Sequence, residues 1–325
     1  MIRNIDRNIA RFEDWLAERE LKDNTLVVFV TDNGGTGGVE FFNAGMRGRT
    51  ESNYEGGHRA ACFIRWPNGS FVNPYPVSCA TQIQDLLPTF LDILDLEGRP
   101  DYELDGRSLR PVLMEGRPLD DRMFVVQFGP DARPEEDFSC VVWDSWRLVG
   151  DDELYDLSTD PGQQKNVAGE YPEILDKVKA FHRKYWSEVE AGIDQFVPVI
   201  VGSEREDPKL ITSSVWEEGA VNGQRGIARA LGPPRGGVTH IDVVQEGSYL
   251  VELSRWPFHL KRGLTMKGPE STVGGTRIET GRALSIEFGC LSIDEEEPLI
   301  SRKIDGEVAI RLEVNLPAGR HRMRA

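Results

Sequence analysis

Apolar residues in the first twenty positions recur at three- and four-residue spacing. Ile2, Ile5, Ile9, Phe12 and Leu16 alternate with Arg, Asp and Glu, which predicts an amphipathic helix over residues 2–20. Lys22-Asp23-Asn24 then reads as a turn, and Thr25 to Thr31 is an unbroken β-branched and apolar run. With no polar alternation, that run predicts a strand buried on both faces, as in a parallel sheet covered by helices. Cys62 to Pro67 predicts another short strand, stopped by its proline. Ile83, Leu86, Leu87, Phe90, Leu91 and Leu94 form the stripe of a second helix. Short strand-like segments fill Met123 to Leu157, and Glu173 to Val189 is again helical. Strands and helices that alternate over the first 190 residues favour an α/β layer architecture.

The pattern changes after about residue 197. Val197–Val201, His240–Val244, Tyr249–Leu253, Ala283–Phe288 and Val308–Val314 are short strand candidates between turns rich in Gly, Pro and acidic residues. This predicts an all-β domain, a sandwich. Gly232 to Gly237, with two prolines and an arginine, reads as a loop, and no internal repeat is present.

Composition narrows the function classes. In 325 residues there are 54 acidic and 38 basic side chains, a formal charge of −16. That balance disfavours nucleic acid as a partner, because phosphate binding needs the opposite sign. Cys62, Cys79, Cys140 and Cys290 lie far apart with no C-x-x-C pair, against a zinc knuckle or a dense disulfide framework, with a single disulfide left open. No apolar run approaches the roughly 18 residues of a membrane span. Met-Ile-Arg-Asn-Ile-Asp-Arg-Asn has no apolar core of a signal peptide.

The candidate chemistry sits where the Thr25–Thr31 run stops, at Asp32-Asn33-Gly34-Gly35. Asn-Gly is a common turn dipeptide, so a plain turn is one reading. The other is a cation site. A carboxylate beside an amide oxygen offers two hard donors of the kind Ca²⁺ or Mg²⁺ selects, at the strand end where α/β sheets bind ligands.

Longer stretches bear on that choice. "KDNTLVVFVTDNGG" followed by "NAGMRGRTESNYEGGHRAACFIRWPNG" resembles the C-terminal half of the type I sulfatases of the alkaline phosphatase superfamily. "IQDLLPTFLDIL", "LDGRSLRPVL" and "DSWRLV…DELYDLSTDPGQQKNV" are similar to further blocks of that family, in the same order. The strong resemblance covers residues 1 to about 190; the tail is similar, more weakly, to the β-rich ends of some bacterial sulfatases. The resemblance implies a partial alkaline-phosphatase-like three-layer α/β sheet over residues 1–115. It also implies a small α+β subdomain over 116–195 and an all-β accessory domain over 196–325. It further implies sulfate-ester hydrolysis by a formylglycine nucleophile beside one Ca²⁺, with Asp32 and Asn33 as metal ligands. The substrate it implies is a sulfated small molecule or glycan, and the compartment is periplasmic or extracellular.

The sequence departs from the family in two places. Thr50 stands five residues before Glu55, where the family has a sulfate-contacting lysine; Arg49 next to it is the candidate replacement, since a guanidinium binds oxyanions well. The nucleophile motif, C/S-x-P-x-R, is absent from the chain. The family's paired aspartates and pocket Lys and His precede the first helix, so an N-terminal half is expected to be missing or lost, and the chain is expected to be inactive alone. Two rivals remain: a phosphodiester or phosphonate hydrolase of the same superfamily, and a non-catalytic glycan-binding remnant.

Three further groups matter. His58, in Glu55-Gly56-Gly57-His58-Arg59, could be a general acid. A tight turn with Arg59 in an ion pair is the simpler reading. His182, His240, His259 and His321 lack ligand-like spacing. Trp216, Tyr249 and Trp256 could form a sugar platform, although aromatic residues on sandwich strands usually fill the core.

Overall fold

The computed structural model describes residues 2–71, 76–96, 101–129, 133–216, 236–273, 275–278, 280–302 and 306–325. The chain forms two compact units, Met1–Ile193 and Asp194–Ala325. Most of the Gly232–Gly237 loop lies outside the described residues.

The first unit opens with helix α1, Ile2–Glu18. Its apolar stripe forms as expected, but only Leu16 is buried; Ile2, Ile5, Ile9, Phe12 and Trp15 are exposed. The next strand corrects an expectation. Strand β1, Val27–Val30, pairs antiparallel with β2, Cys62–Arg65, Val27 facing Arg65 and Val30 facing Cys62. Among the described residues it has no parallel neighbour. The run is apolar enough for burial on two faces, yet Val30 is 40% and Phe63 67% exposed, because no described element covers the ribbon's outer side.

A single turn at Ile83–Asp85 leads into α3, Leu86–Ile93. Asp85, fully buried, accepts from the Gln82 and Arg107 backbone N–H groups (both 2.9 Å) and pairs with Arg122, so three segments converge on one carboxylate. Helix α4, Arg110–Met114, follows.

Four antiparallel strands then run in sequence order: β3 Met123–Gln127, β4 Ser139–Trp143, β5 Trp146–Val149 and β6 Glu153–Asp156. Both faces of this sheet are covered. Val141, Leu148 and Leu154 pack with Val178 of α5, Pro172–Gly192. Phe124, Cys140, Val142, Val149 and Tyr155 pack on the other side with Tyr54 and Ala80. That second face is what supports the loop that carries the site. Burial pushes the Cys140 thiol up to about 12, and all four cysteines are free.

The second unit is a β-sandwich. Its larger sheet has the order β13-β12-β15-β8-β7, with β7 Val199–Val201, β8 Val238–Val243, β12 Phe288–Ile293, β13 Leu299–Arg302 and β15 Gly319–Arg324. Strands β9, Gly247–Leu253, and β14, Ile310–Leu316, form the second sheet. Val201, Ile241, Val243, Leu291, Ile293, Ile310 and Leu312 share one core between the two sheets. A hairpin of β10, Ser271–Val273, and β11, Thr276–Ile278, stands apart.

The expected strand at Ala283–Phe288 is displaced: extended pairing begins at Phe288 and runs to Ile293. Gly289 sits inside it because a Cβ there would come within 3.0 Å of Ile310 Cγ2 and 3.1 Å of Leu253 Cδ1. Trp216, Tyr249 and Trp256 pack against different glycines, Gly237, Gly202 and Gly268.

Candidate functional site

The site begins at the end of β1. Thr31 N–H donates to Ala61 O (3.0 Å), and Ala61 N–H donates back to Thr31 Oγ1 (3.1 Å), so the antiparallel register continues one residue past the strand. Asp32 and Asn33 follow, side by side and exposed, with Asn33 N–H donating to Asp32 Oδ1 (3.0 Å). The backbone then turns into close contact with α2, the single helical turn Glu55–His58. Gly34 N–H donates to Gly57 O (2.8 Å), and a Cβ on Gly34 would lie 1.8 Å from Gly56 O. Only glycine fits there.

The same turn meets the segment carrying Arg49. Thr50 N–H donates to Gly35 O (2.9 Å), and Ser52 Oγ donates to Arg49 O (2.7 Å). Gly48, at φ +81°, supplies the left-handed backbone that begins this loop. The Arg49 side chain is exposed. The structure thus brings the Asp32–Asn33 turn and the Arg49–Thr50 segment into one hydrogen-bonded unit.

Beneath it lies a buried polar cluster in which the sequence singled out Glu55 and Arg59 but not Arg147 or Gln163. Arg147 Nε donates to Glu55 Oε1 at 2.6 Å, with the two side chains 10% and 3% exposed. Glu55 N–H donates to Gln163 Oε1 (2.8 Å), and Arg59 reaches Glu55 Oε2 at 3.4 Å, the ion pair expected of that turn. Arg147 and Gln163 belong to "DSWRLV" and "DPGQQKNV", so the motif blocks held the signal without the roles. In the latter, Asp160 accepts from the Gln164 and Lys165 N–H groups, and Asn166 Oδ1 accepts from Leu154 and Ala168 N–H. These side chains fix the turn that delivers Gln163.

His58 is largely buried, its Nε2 3.8 Å from Glu55 Oε1 and without a hydrogen-bond partner. Desolvation holds its pKa below the ordinary value of 6.5, opposed by Glu55 and reinforced by Arg147 and Arg59. His182 is likewise lowered by burial, against the pull of Glu136, Asp151 and Asp137. In the other unit, His321 is raised by its hydrogen bond to Asp294 (2.5 Å). The signs give a prediction. Stability from neutral His58 and His182 is full above pH 6.5 and declines as pH falls below it. Stability from protonated His321 is full below pH 6.5 and declines as pH rises through its folded value. Residue-resolved hydrogen exchange, corrected for intrinsic rates, is expected to show mild acidification loosening β4 and α5 while tightening β12 and β15.

Asp32 and Asn33 are hard oxygen donors of the kind that suits Ca²⁺, but they supply few of its roughly six to eight oxygens. Among the described residues, no three His, Cys, Asp or Glu side chains come together to hold a metal. No described helix is long and apolar enough to cross a membrane.

The sulfatase family model matches residues 1–96. Over that stretch the chain is similar to the sulfatase family. An uncharacterized sulfatase of Schizosaccharomyces pombe is 27% identical over 265 residues, 62% of this chain and 45% of its own length. Mouse steryl-sulfatase is 25% identical over 240 residues, covering 61% and 38%. An N-acetylgalactosamine-6-O-sulfatase of Bacteroides thetaiotaomicron is 25% identical over 201 residues, covering 54% and 39%. The chain therefore spans less than half the length of each of these sulfatases, and the matched family region includes Asp32, Asn33, Arg49 and Glu55.

Proposed function

We propose that this chain carries part of a sulfate-ester hydrolase site, with Asp32 and Asn33 as two ligands of a Ca²⁺ ion and Arg49 as a sulfate contact. The observation that supports it is the placement of an exposed carboxylate and amide at the end of β1, tied through Gly35 and Thr50 to an exposed guanidinium. Such a cation would neutralise sulfate oxygens and favour charge that builds up in the transition state. Residues 1–115 would then belong to a catalytic domain, 116–195 to a supporting subdomain and 196–325 to an accessory domain. The substrate class is an organic sulfate ester, and a sulfated sugar is the favoured form, in line with the relative named for N-acetylgalactosamine 6-sulfate.

The nucleophile and the remaining ligands must come from residues outside this set. The exposed stripe of α1 and the uncovered face of the β1–β2 ribbon support a partner segment that carries them. Alone, the 325-residue chain is expected to turn over no nitrophenyl sulfate in the presence of Ca²⁺, and calorimetry is expected to show no tight one-to-one Ca²⁺ binding. Turnover that vanishes in Asp32→Ala would mean that the chain holds a whole site and would overturn this division. With the natural gene product, cleavage of nitrophenyl phosphate in preference to the sulfate would favour the phosphoester rival instead.

A further inference from the structure

Arg47 lies two residues before the candidate sulfate contact and points the other way, into the rest of the first unit. Its Nη1 donates to Tyr155 Oη (2.8 Å) and to Gln163 O (3.0 Å), and its Nη2 donates to Tyr54 Oη (2.9 Å). The guanidinium carbon also lies 3.9 Å from the centre of the Tyr54 ring. Both phenols donate to Glu153 Oε2, Tyr54 at 2.8 Å and Tyr155 at 2.6 Å, and that carboxylate is 3.9 Å from Arg47 Nη1. One planar fork thus joins four residues of two distant segments, a geometry that an ammonium could not reproduce.

The backbone of Arg47 faces the site. Arg47 O accepts from Gly56 N–H (2.8 Å), which sets the start of α2, and the Gly57 carbonyl of that turn receives Gly34 N–H. On the other side Arg47 leads through Gly48 and Arg49 to Thr50, whose N–H holds Gly35 O. Anchoring the guanidinium therefore fixes both routes by which the Asp32–Asn33 turn is held.

We propose that Arg47 is the positioning residue of this site, clamping the 47–58 loop to β6 so that Arg49 and the Asp32–Asn33 turn keep a fixed relative placement. The functional meaning rests on the sulfatase reading above. The clamp itself is read without sulfate, metal or turnover.

The test is residue-resolved hydrogen exchange on the full chain. In Arg47→Ala the amides of Gly34, Thr50 and Gly56 are expected to exchange about tenfold faster or more, as expected for losing hydrogen bonds to a charged group. The amides of Val141 and Leu148 should keep their protection. Arg47→Lys should restore only part of it, because one ammonium cannot serve Tyr54, Tyr155 and Gln163 together. Tyr155→Phe, which leaves Arg47 two of its three hydrogen-bond partners, should give a smaller effect at the same amides; it carries the test if Arg47→Ala does not fold. Parental exchange at Gly34 and Thr50 in these variants would overturn the proposal. So would uniform acceleration that includes Val141 and Leu148, which would make Arg47 an ordinary stabilising residue. Asp32→Ala should leave the loop amides protected, so failure of the metal reading is separable from failure of the clamp.

Discussion

Arg147→Ala is expected to destabilise the first unit by about 3–5 kcal/mol, the usual cost of leaving one partner of a buried ion pair uncompensated. Little solvent screening softens this loss, since neither side chain is more than 10% exposed. The remaining cations near Glu55 cannot stand in. Arg59 is 3.4 Å away with a side chain 67% exposed, and His58 Nε2, 3.8 Å away, makes no hydrogen bond. Arg147 also donates to the Asp144 and Trp146 carbonyls (2.7 and 2.8 Å), so the β4–β5 turn loses two bonds as well. Urea unfolding followed by a probe in the first unit should show the fall in midpoint. Pairing the change with Glu55→Gln should recover part of it, because the stranded charge is then gone. A loss below about 1 kcal/mol would mean that water reaches this pair.

Gly34→Ala should cost about 1–3 kcal/mol from overpacking alone and displace the candidate metal turn. The added carbon would lie 1.8 Å from Gly56 O and 2.7 Å from Gly56 C, and those are backbone atoms that cannot rotate away. The turn or α2 must move, and the Gly34–Gly57 hydrogen bond goes with it. Gly37→Ala, three residues on, meets nothing within 4 Å and is the control. Thermal melts should separate the two, and chemical shifts at Thr50 and Gly57 should move only in the first. Equal melting temperatures would show that the two loops are not in contact.

The sequence carried the elements better than their neighbours. The stripe of α1 and the apolar run of β1 were legible because periodicity is local, yet neither reveals what lies against it. The run fits a strand covered on both sides, and the antiparallel ribbon with exposed Phe63 breaks that expectation. Strand β15 was invisible for the opposite reason: Gly-Arg-His-Arg-Met-Arg has almost no apolar signal, and its pairing with β8 is made by backbone bonds. At the site, Asp32, Asn33 and Arg49 were visible as residue types at a strand end and on a loop. Arg47, Arg147 and Gln163 were not, because the role of such a side chain is hidden until its partners, some 90 to 116 positions away, are known.

The larger sheet of the second unit sets an order of events on the ribosome. Strands β12 and β13 form one half and β7 and β8 the other, and β15 is the seam between them, pairing with β12 at Ser292 and Ile293 and with β8 over all six of its residues. It is also the last of the five strands in chain order. At about 5–20 residues per second, synthesis from β8 to β15 takes several seconds, during which β8 presents an unsatisfied edge. Pairings across so long a stretch of chain are slow to form even once every strand is available. The second unit must therefore close after translation of its last strand, and the hazard of strand exchange between nascent copies is concentrated in that interval.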